Sequence, residues 1–301
     1  GPHFPSLFPK FTNAPLTRFT MTNGVHPDGF SPQILAEWFN FLSFYVDQEI
    51  PTVPGDFYVM VPVFMEDVFG AKLELPEARF EDFTDFDEAL SFYEGEPDIR
   101  VIFESGAAPD IAAGAPQGAF EESFEKWPVP STEVDRWYFH PDGSLQQQVP
   151  PAGESSSTFV HDPEAGNRVT YVGGGINNPQ PNWDWRQPAA DEAVSFVSAP
   201  LTTDHVFVGH ASGDLWVKST ADDADLEICI TEVRPDGKES YIMCGWLRAS
   251  HRILMEGSTE LQPLNSHYKK DVVPLNADEW NLVRIEMMPF SHVFRADSSI
   301  R

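Results

Sequence analysis

Cysteine is nearly absent from this 301-residue chain: there are two, Cys229 and Cys244. There is no Cys-x-x-Cys pair, and His205, His210, His251, His267 and His292 are scattered outside any His-Glu-x-x-His spacing. Nothing in the pattern supplies a zinc ligand set, so no metal and no cofactor are expected. Basic residues are scarce as well. Nineteen Lys and Arg stand against 47 Asp and Glu, a formal charge of −28, which argues against nucleic acid and an anionic membrane as partners. No apolar run reaches the roughly 20 residues that cross a bilayer. The first residues do not read as a secretory leader, which leaves secreted and cytoplasmic locations both open. Also missing is a Gly-x-Ser-x-Gly frame, the strand-to-helix elbow that exposes a nucleophilic serine. Gly209-His210-Ala211-Ser212-Gly213 comes nearest, with its serine one place too late.

What is present is apolar enough to fold. At 41% hydrophobic and 13% aromatic residues, the chain can bury a sizeable core, and its length suits about two domains. Leu16–Met21 reads as a strand and Asn23-Gly24-Val25-His26-Pro27-Asp28-Gly29 as the polar loop after it. Ser31 then offers an N-cap and Pro32 a first helical position. Leu35, Trp38, Leu42 and Tyr45 follow at helical spacing until Pro51 and Pro54 stop the run. Strand, loop and amphipathic helix in that order suggest the closing unit of a parallel α/β sheet. Further on, Phe57–Phe64 reads as extended, Asp85–Phe92 as a helix, Asp98–Phe103 as a buried strand and Gly106–Gly118 as loop.

Near Glu125–Pro130 the pattern changes to short strands punctuated by Pro, Gly, Asp and Asn, as in a sandwich. Trp137-Tyr138-Phe139 with the His140–Gly143 turn forms its first hairpin, and Leu282–Met288 is the last legible strand. Pro150–Ser157 and Gly173–Pro188 are long irregular connections. Trp137, Tyr138, Trp183 and Trp185 are candidates for sandwich core or for a ligand surface. Asp222, Asp223, Asp225 and Glu227 lack the glycine and terminal Glu of an EF-hand and read as a solvated turn. Glu121, Glu122 and Glu125 read as solvated surface.

The cysteines lie on the two arms of a Pro235-Asp236-Gly237 hairpin. Pro235 has no N–H for a two-residue turn, so a three-residue loop with Gly237 left-handed is expected, pairing Arg234 with Lys238. Extended regularly, that register opposes Cys229 to Met243 and Cys244 to Ile228. It sets Leu226, Ile228, Ile230, Ile242, Cys244 and Trp246 on one face and leaves two free thiols facing opposite sides.

The stretch Ala199–Arg252 carries a family likeness. A Pro-Leu-x-x-Asp entry is followed by strands at Val206–Val208 and Leu215–Val217 and an Asp-x-Asp turn at Asp223–Asp225. Then come the Pro235–Gly237 hairpin and a Gly-x-Leu-Arg-Ala exit at Gly245–Ala249. This ordered series resembles the C-terminal region of the cocaine esterase and X-Pro dipeptidyl-peptidase group of α/β-hydrolases. The resemblance implies the C-terminal part of an α/β-hydrolase domain over residues 1–126. An all-β jelly-roll, galactose-binding-like sandwich would follow over residues 127–301.

It also implies a serine hydrolase acting on a small ester or amide, X-Pro dipeptidyl bonds among them, through an acyl-serine. His26 takes the catalytic base position, in the loop between a late strand and the last helix. Asp28 is too near His26 to orient its ring and reads as a turn or helix-start residue. The serine and the acid would lie upstream of Gly1, making the upstream half of the same hydrolase the expected partner and the isolated chain inactive. Residues 1–126 would depend on that half for order. The rival expectation is a non-enzymatic jelly-roll module that binds carbohydrate or protein, since one fold hosts both roles.

Overall fold

Two short strands, β1 (Phe19–Thr22) and β2 (Ile99–Phe103), run side by side and parallel, with Phe19 opposite Ile99 and Thr22 opposite Ile102. A parallel pair needs a long crossover, and here it carries three helices, α2 (Pro32–Leu42), α3 (Phe57–Phe69) and α4 (Phe86–Glu94). A short helix, α1 (Phe4–Leu7), lies ahead of β1. The computed structural model describes residues 4–108, 111–153, 155–161, 171–172, 177–180, 182–183 and 193–301. The chain forms two compact units: Phe8–Pro130 with Asp162–Gln187, and Gly1–Leu7 with Ser131–His161 and Pro188–Arg301.

In the unit built around β1, strand β3 (Phe120–Phe124) adds antiparallel to β2, giving the order β1-β2-β3. Ile99, Val101, Ile102 and Phe103 are all buried, the near-continuous apolar run of a strand covered on both faces. Ser31 is extended and hands over to Pro32 as expected, but its hydroxyl makes no capping bond; its carbonyl accepts from Ile34 and Leu35 N–H instead. The helical spacing from Leu35 to Tyr45 breaks at a π-helical turn over Ser43–Asp47. Its extra residue per turn rotates the face from Ser43 onward, so Phe44, 2% exposed, enters the core; Trp38 and Leu42, ahead of the turn, are exposed. Phe44 packs edge-on to Phe80 at 5.0 Å and stacks on Tyr93 at 5.1 Å. Glu37 on α2 is paired to Arg100 on β2 and, at 3.1 Å, to Arg79, which also meets Glu96 at 3.0 Å. These pairs tie α2 to the sheet.

Phe57–Phe64 is not extended. It opens α3, whose Pro62 and β-branched valines disfavour helix locally. Tertiary packing of Met65 and Phe69 against Ala71, Leu73 and Ala115 overrides them. The expected helix and strand at Asp85 and Asp98 are present as α4, with the Asp85 carboxylate accepting from Glu88 N–H, and as β2. Strands β6 (Tyr171–Val172) and β7 (Asn182–Trp183) form a separate antiparallel pair. No described helix is long and apolar enough to cross a membrane.

The second unit is a two-sheet β-sandwich. A hairpin of β4 (Tyr138–Phe139) and β5 (Leu145–Gln146) closes through the His140–Ser144 turn. The long strand β8 (His205–Val217) covers both predicted strands there and pairs antiparallel with β11 (Asn281–Phe294). Facing them are β10 (Glu239–Arg248), β9 (Asp225–Val233) and β12 (Ser299–Ile300), in that order. Along β11, Val283, Ile285 and Met287 point inward, alternating with Leu282, Arg284 and Glu286. Val283 and Ile285 meet Leu247, Leu226 and Ile228 from the other sheet, the interdigitation that holds packed sheets together.

The hairpin turn is the one anticipated: Gly237 is left-handed at φ 80°, and Arg234 N–H bonds the Lys238 carbonyl. The register then departs from expectation. A β-bulge between Tyr241 and Met243 inserts Ile242, so that Met243 opposes Ile230 and Cys244 opposes Cys229. The cysteines are therefore not free; they form a disulfide with Cα atoms 4.1 Å apart. Past the bulge the inward parity flips. Gly245 and Leu247 now face the core, whereas Trp246, expected inside, is 51% exposed. Gly245 is required there, because a Cβ would sit 2.2 Å from the Glu286 carbonyl oxygen of the opposing sheet.

Candidate functional site

The His26 segment has the anticipated order of strand, turn and helix. β1 ends at Thr22, a 3-10 turn spans His26–Phe30, and α2 begins at Pro32. Val25, 6% exposed, anchors the turn to the core, while the His26 side chain is exposed and makes no hydrogen bond among the described residues. Asp28 is buried. Its carboxylate accepts the Val25 N–H at 2.9 Å, and its own N–H donates to the Val25 carbonyl at 3.0 Å. Asp28 therefore does not face the imidazole as a triad acid would; it closes the turn from beneath. Burial pushes its carboxyl up to about 6, the Val25 hydrogen bond offsetting only part of the desolvation. That burial was not legible in the sequence; the available signal was Gly24, four residues earlier, where a side chain would collide with the carboxylate.

The remaining candidates serve the fold. Ser212 lies inside β8, away from any strand-to-helix elbow, and its hydroxyl donates to the Glu260 carbonyl at 2.7 Å. Asp223 accepts the Ser250 hydroxyl at 2.7 Å and the N–H groups of Ser250 and Ala224, each at 2.9 Å. Asp225 takes the Arg248 guanidinium in a two-pronged contact at 2.7 and 2.8 Å. The Asp-x-Asp turn and the Gly-x-Leu-Arg-Ala exit are thus two halves of one latch, which explains their co-occurrence in the sequence. Trp137 packs on the sandwich core and donates to Asp135. Trp185, the Trp183 side chain and most of Gly173–Pro188 lie outside the described residues. His292 meets buried Glu232 at 3.0 Å. His251 and His267 are ring neighbours with centroids 5.7 Å apart. Among the described residues one group of ligand-type atoms converges within 4.8 Å, on Glu227, Cys229 and Cys244. The disulfide consumes both sulfurs, so this group lacks the thiolates a metal would need.

A strand-turn-helix segment bearing an exposed histidine, with a latched two-sheet sandwich following it in sequence, defines a β-sandwich domain that follows an α/β unit. The chain belongs to the family described as the X-Pro dipeptidyl-peptidase C-terminal non-catalytic domain, which matches residues 92–301. His26 lies outside that span. Two curated relatives, candidate serine esterases of Mycobacterium bovis and Mycobacterium tuberculosis, are each 26% identical over 190 residues, 60% of this chain and 29% of their own length. The chain thus spans under a third of those relatives. Two solved structures share the fold. A CocE/NonD family hydrolase from Staphylococcus aureus has a TM-score of 0.53 and 20% identity, over 89% of this chain and 37% of that one. An aminopeptidase from a marine-sediment Thaumarchaeota archaeon has a TM-score of 0.57 and 16% identity, over 98% and 42%.

Proposed function

We propose that this chain contributes the general base and the C-terminal sandwich of a serine hydrolase that cleaves ester or amide bonds, X-Pro dipeptidyl bonds among them, through an acyl-serine. The observation that carries this reading is His26: an exposed imidazole on a tightly bonded turn between a parallel strand and the following helix. In that position a neutral imidazole accepts the serine proton during attack and returns it to the leaving group. The serine and the acid belong to a segment outside these 301 residues, a reading supported by the missing serine elbow and by relatives of which the matched region is only 29%. On this reading residues 1–126 complete an α/β-hydrolase domain and residues 127–301 form a jelly-roll of the galactose-binding-like kind. The apolar side chains left exposed on α2 and α3, Trp38, Leu42, Val59 and Phe64, form the surface on which the rest of the hydrolase domain packs.

The test compares this chain with a protein extended to include the serine elbow, using an activated ester and a serine-directed phosphonate. The extended protein is expected to hydrolyse the ester and take the label, and His26→Ala to lower kcat on the order of 10⁴-fold or more. The 301-residue chain alone should do neither. Labelling of one serine in that chain, or full activity in His26→Ala, overturns the proposal.

A further inference from the structure

We infer that Asp28 is a positioning residue for His26: its buried carboxylate holds the backbone of the turn from which the imidazole projects. This inference rests on the reading of His26 as the base. The imidazole has no hydrogen-bond partner of its own among the described residues, so its direction is set by the main chain beneath it. Pro27 contributes no N–H to that turn. Closure falls on Val25 and Asp28, joined twice: Asp28 N–H to the Val25 carbonyl at 3.0 Å, and Val25 N–H to the Asp28 carboxylate at 2.9 Å. The Asp28 carbonyl then accepts the Ser31 N–H at 3.0 Å, passing the constraint to the start of α2. Gly24 completes the arrangement, since a Cβ there would stand 2.2 Å from the Asp28 Oδ2. The carboxylate lies against bare backbone at Gly24 and accepts the N–H of Val25, the residue directly before His26.

Stability alone does not account for an aspartate here. Its carboxyl is pushed up to about 6 by burial, so at neutral pH the ionised group works against folding, and asparagine would offer the same acceptor without the charge. A group kept at such a position beside a candidate base fits the use of a rigid shell to aim a reacting side chain.

Two variants in the extended, active hydrolase separate positioning from simple support. Asp28→Ala is expected to lower kcat about 10²-fold with KM little changed, the scale of loss for a misplaced catalytic group, in protein still folded by circular dichroism at the assay temperature. Asp28→Asn, which keeps the acceptor for Val25 N–H, should recover most of that loss. If Asp28→Ala does not fold, Gly24→Ala presses on the same carboxylate and should give the same fall in kcat. A lowered melting temperature with kcat unchanged, or no recovery in Asp28→Asn, overturns the inference. Amide exchange at Val25, measured in the 301-residue chain with and without Asp28→Ala, judges the turn independently of chemistry and should accelerate at least tenfold. Full activity in His26→Ala alongside that acceleration would sink the base reading while leaving the role of Asp28 in the turn intact.

Discussion

Removing the Cys229–Cys244 disulfide tests the sandwich register directly, because the bond exists only if β10 carries its bulge at Ile242. The bridge closes a loop of sequence separation 15, and the chain-entropy estimate for a loop of that size is about 3 kcal/mol at 25 °C. For a unit of this length each kcal/mol moves the melting temperature by roughly 2 to 4 °C, so Cys229→Ser with Cys244→Ser should lower it by roughly 6 to 12 °C. Serine is nearly isosteric with cysteine, which limits the change in packing at Cys244, 1% exposed. Urea unfolding of the two proteins, followed by tryptophan fluorescence, gives the difference. Thiols are counted in denaturant without reductant, after incubation with glutathione disulfide, and the expected count is none. Two titratable thiols that persist through that treatment would refute the bulge and restore the regular register, with Cys229 opposite Met243. An absent disulfide would also return Trp246 to the core face, making its fluorescence that of a buried indole.

The close approach of the sheets yields a second expectation. Gly245→Ala places a methyl 2.2 Å from the Glu286 carbonyl oxygen and 3.1 Å from Ile285, both on the core strand β11, and should destabilise the sandwich by about 1 to 3 kcal/mol in urea; no change would mean the sheets are farther apart at this point. Glu232 supplies a pH-dependent one. Burial raises its carboxyl, but hydrogen bonds from His292 and Ser298 outweigh that and hold it below its ordinary value of 4.5. Its stabilising contribution is therefore present above pH 4.5 and is lost as pH falls through the lowered value. Glu232→Gln should cost about 1.5 to 3 kcal/mol at pH 7 and progressively less in acid, measured by urea melts at a series of pH values; a gap independent of pH would contradict the pairing.

Local chemistry determined a good deal of this protein from sequence alone. The turn at Pro235-Asp236-Gly237 followed from proline's missing N–H and glycine's freedom at positive φ. The β1-turn-α2 order around His26 followed from periodicity and from Ser31-Pro32, and the buried β2 from its apolar run. The likeness of Ala199–Arg252 to its family lay in residues now seen to latch to one another, Asp223 to Ser250 and Asp225 to Arg248. Tertiary structure decided what depends on partners distant in the chain. The π-turn at Ser43–Asp47 swaps Phe44 for Tyr45 because the aromatic cluster of Phe80 and Tyr93 accepts that ring. α3 forms across Pro62 because Met65 and Phe69 find a core to fill. The bulge at Ile242 reverses the parity of β10 so that Gly245 can meet β11, and a one-residue shift is invisible to alternation read along a single strand. Burial of Asp28 depends in the same way on what surrounds the turn, and with it the protonation of the group that ties down His26.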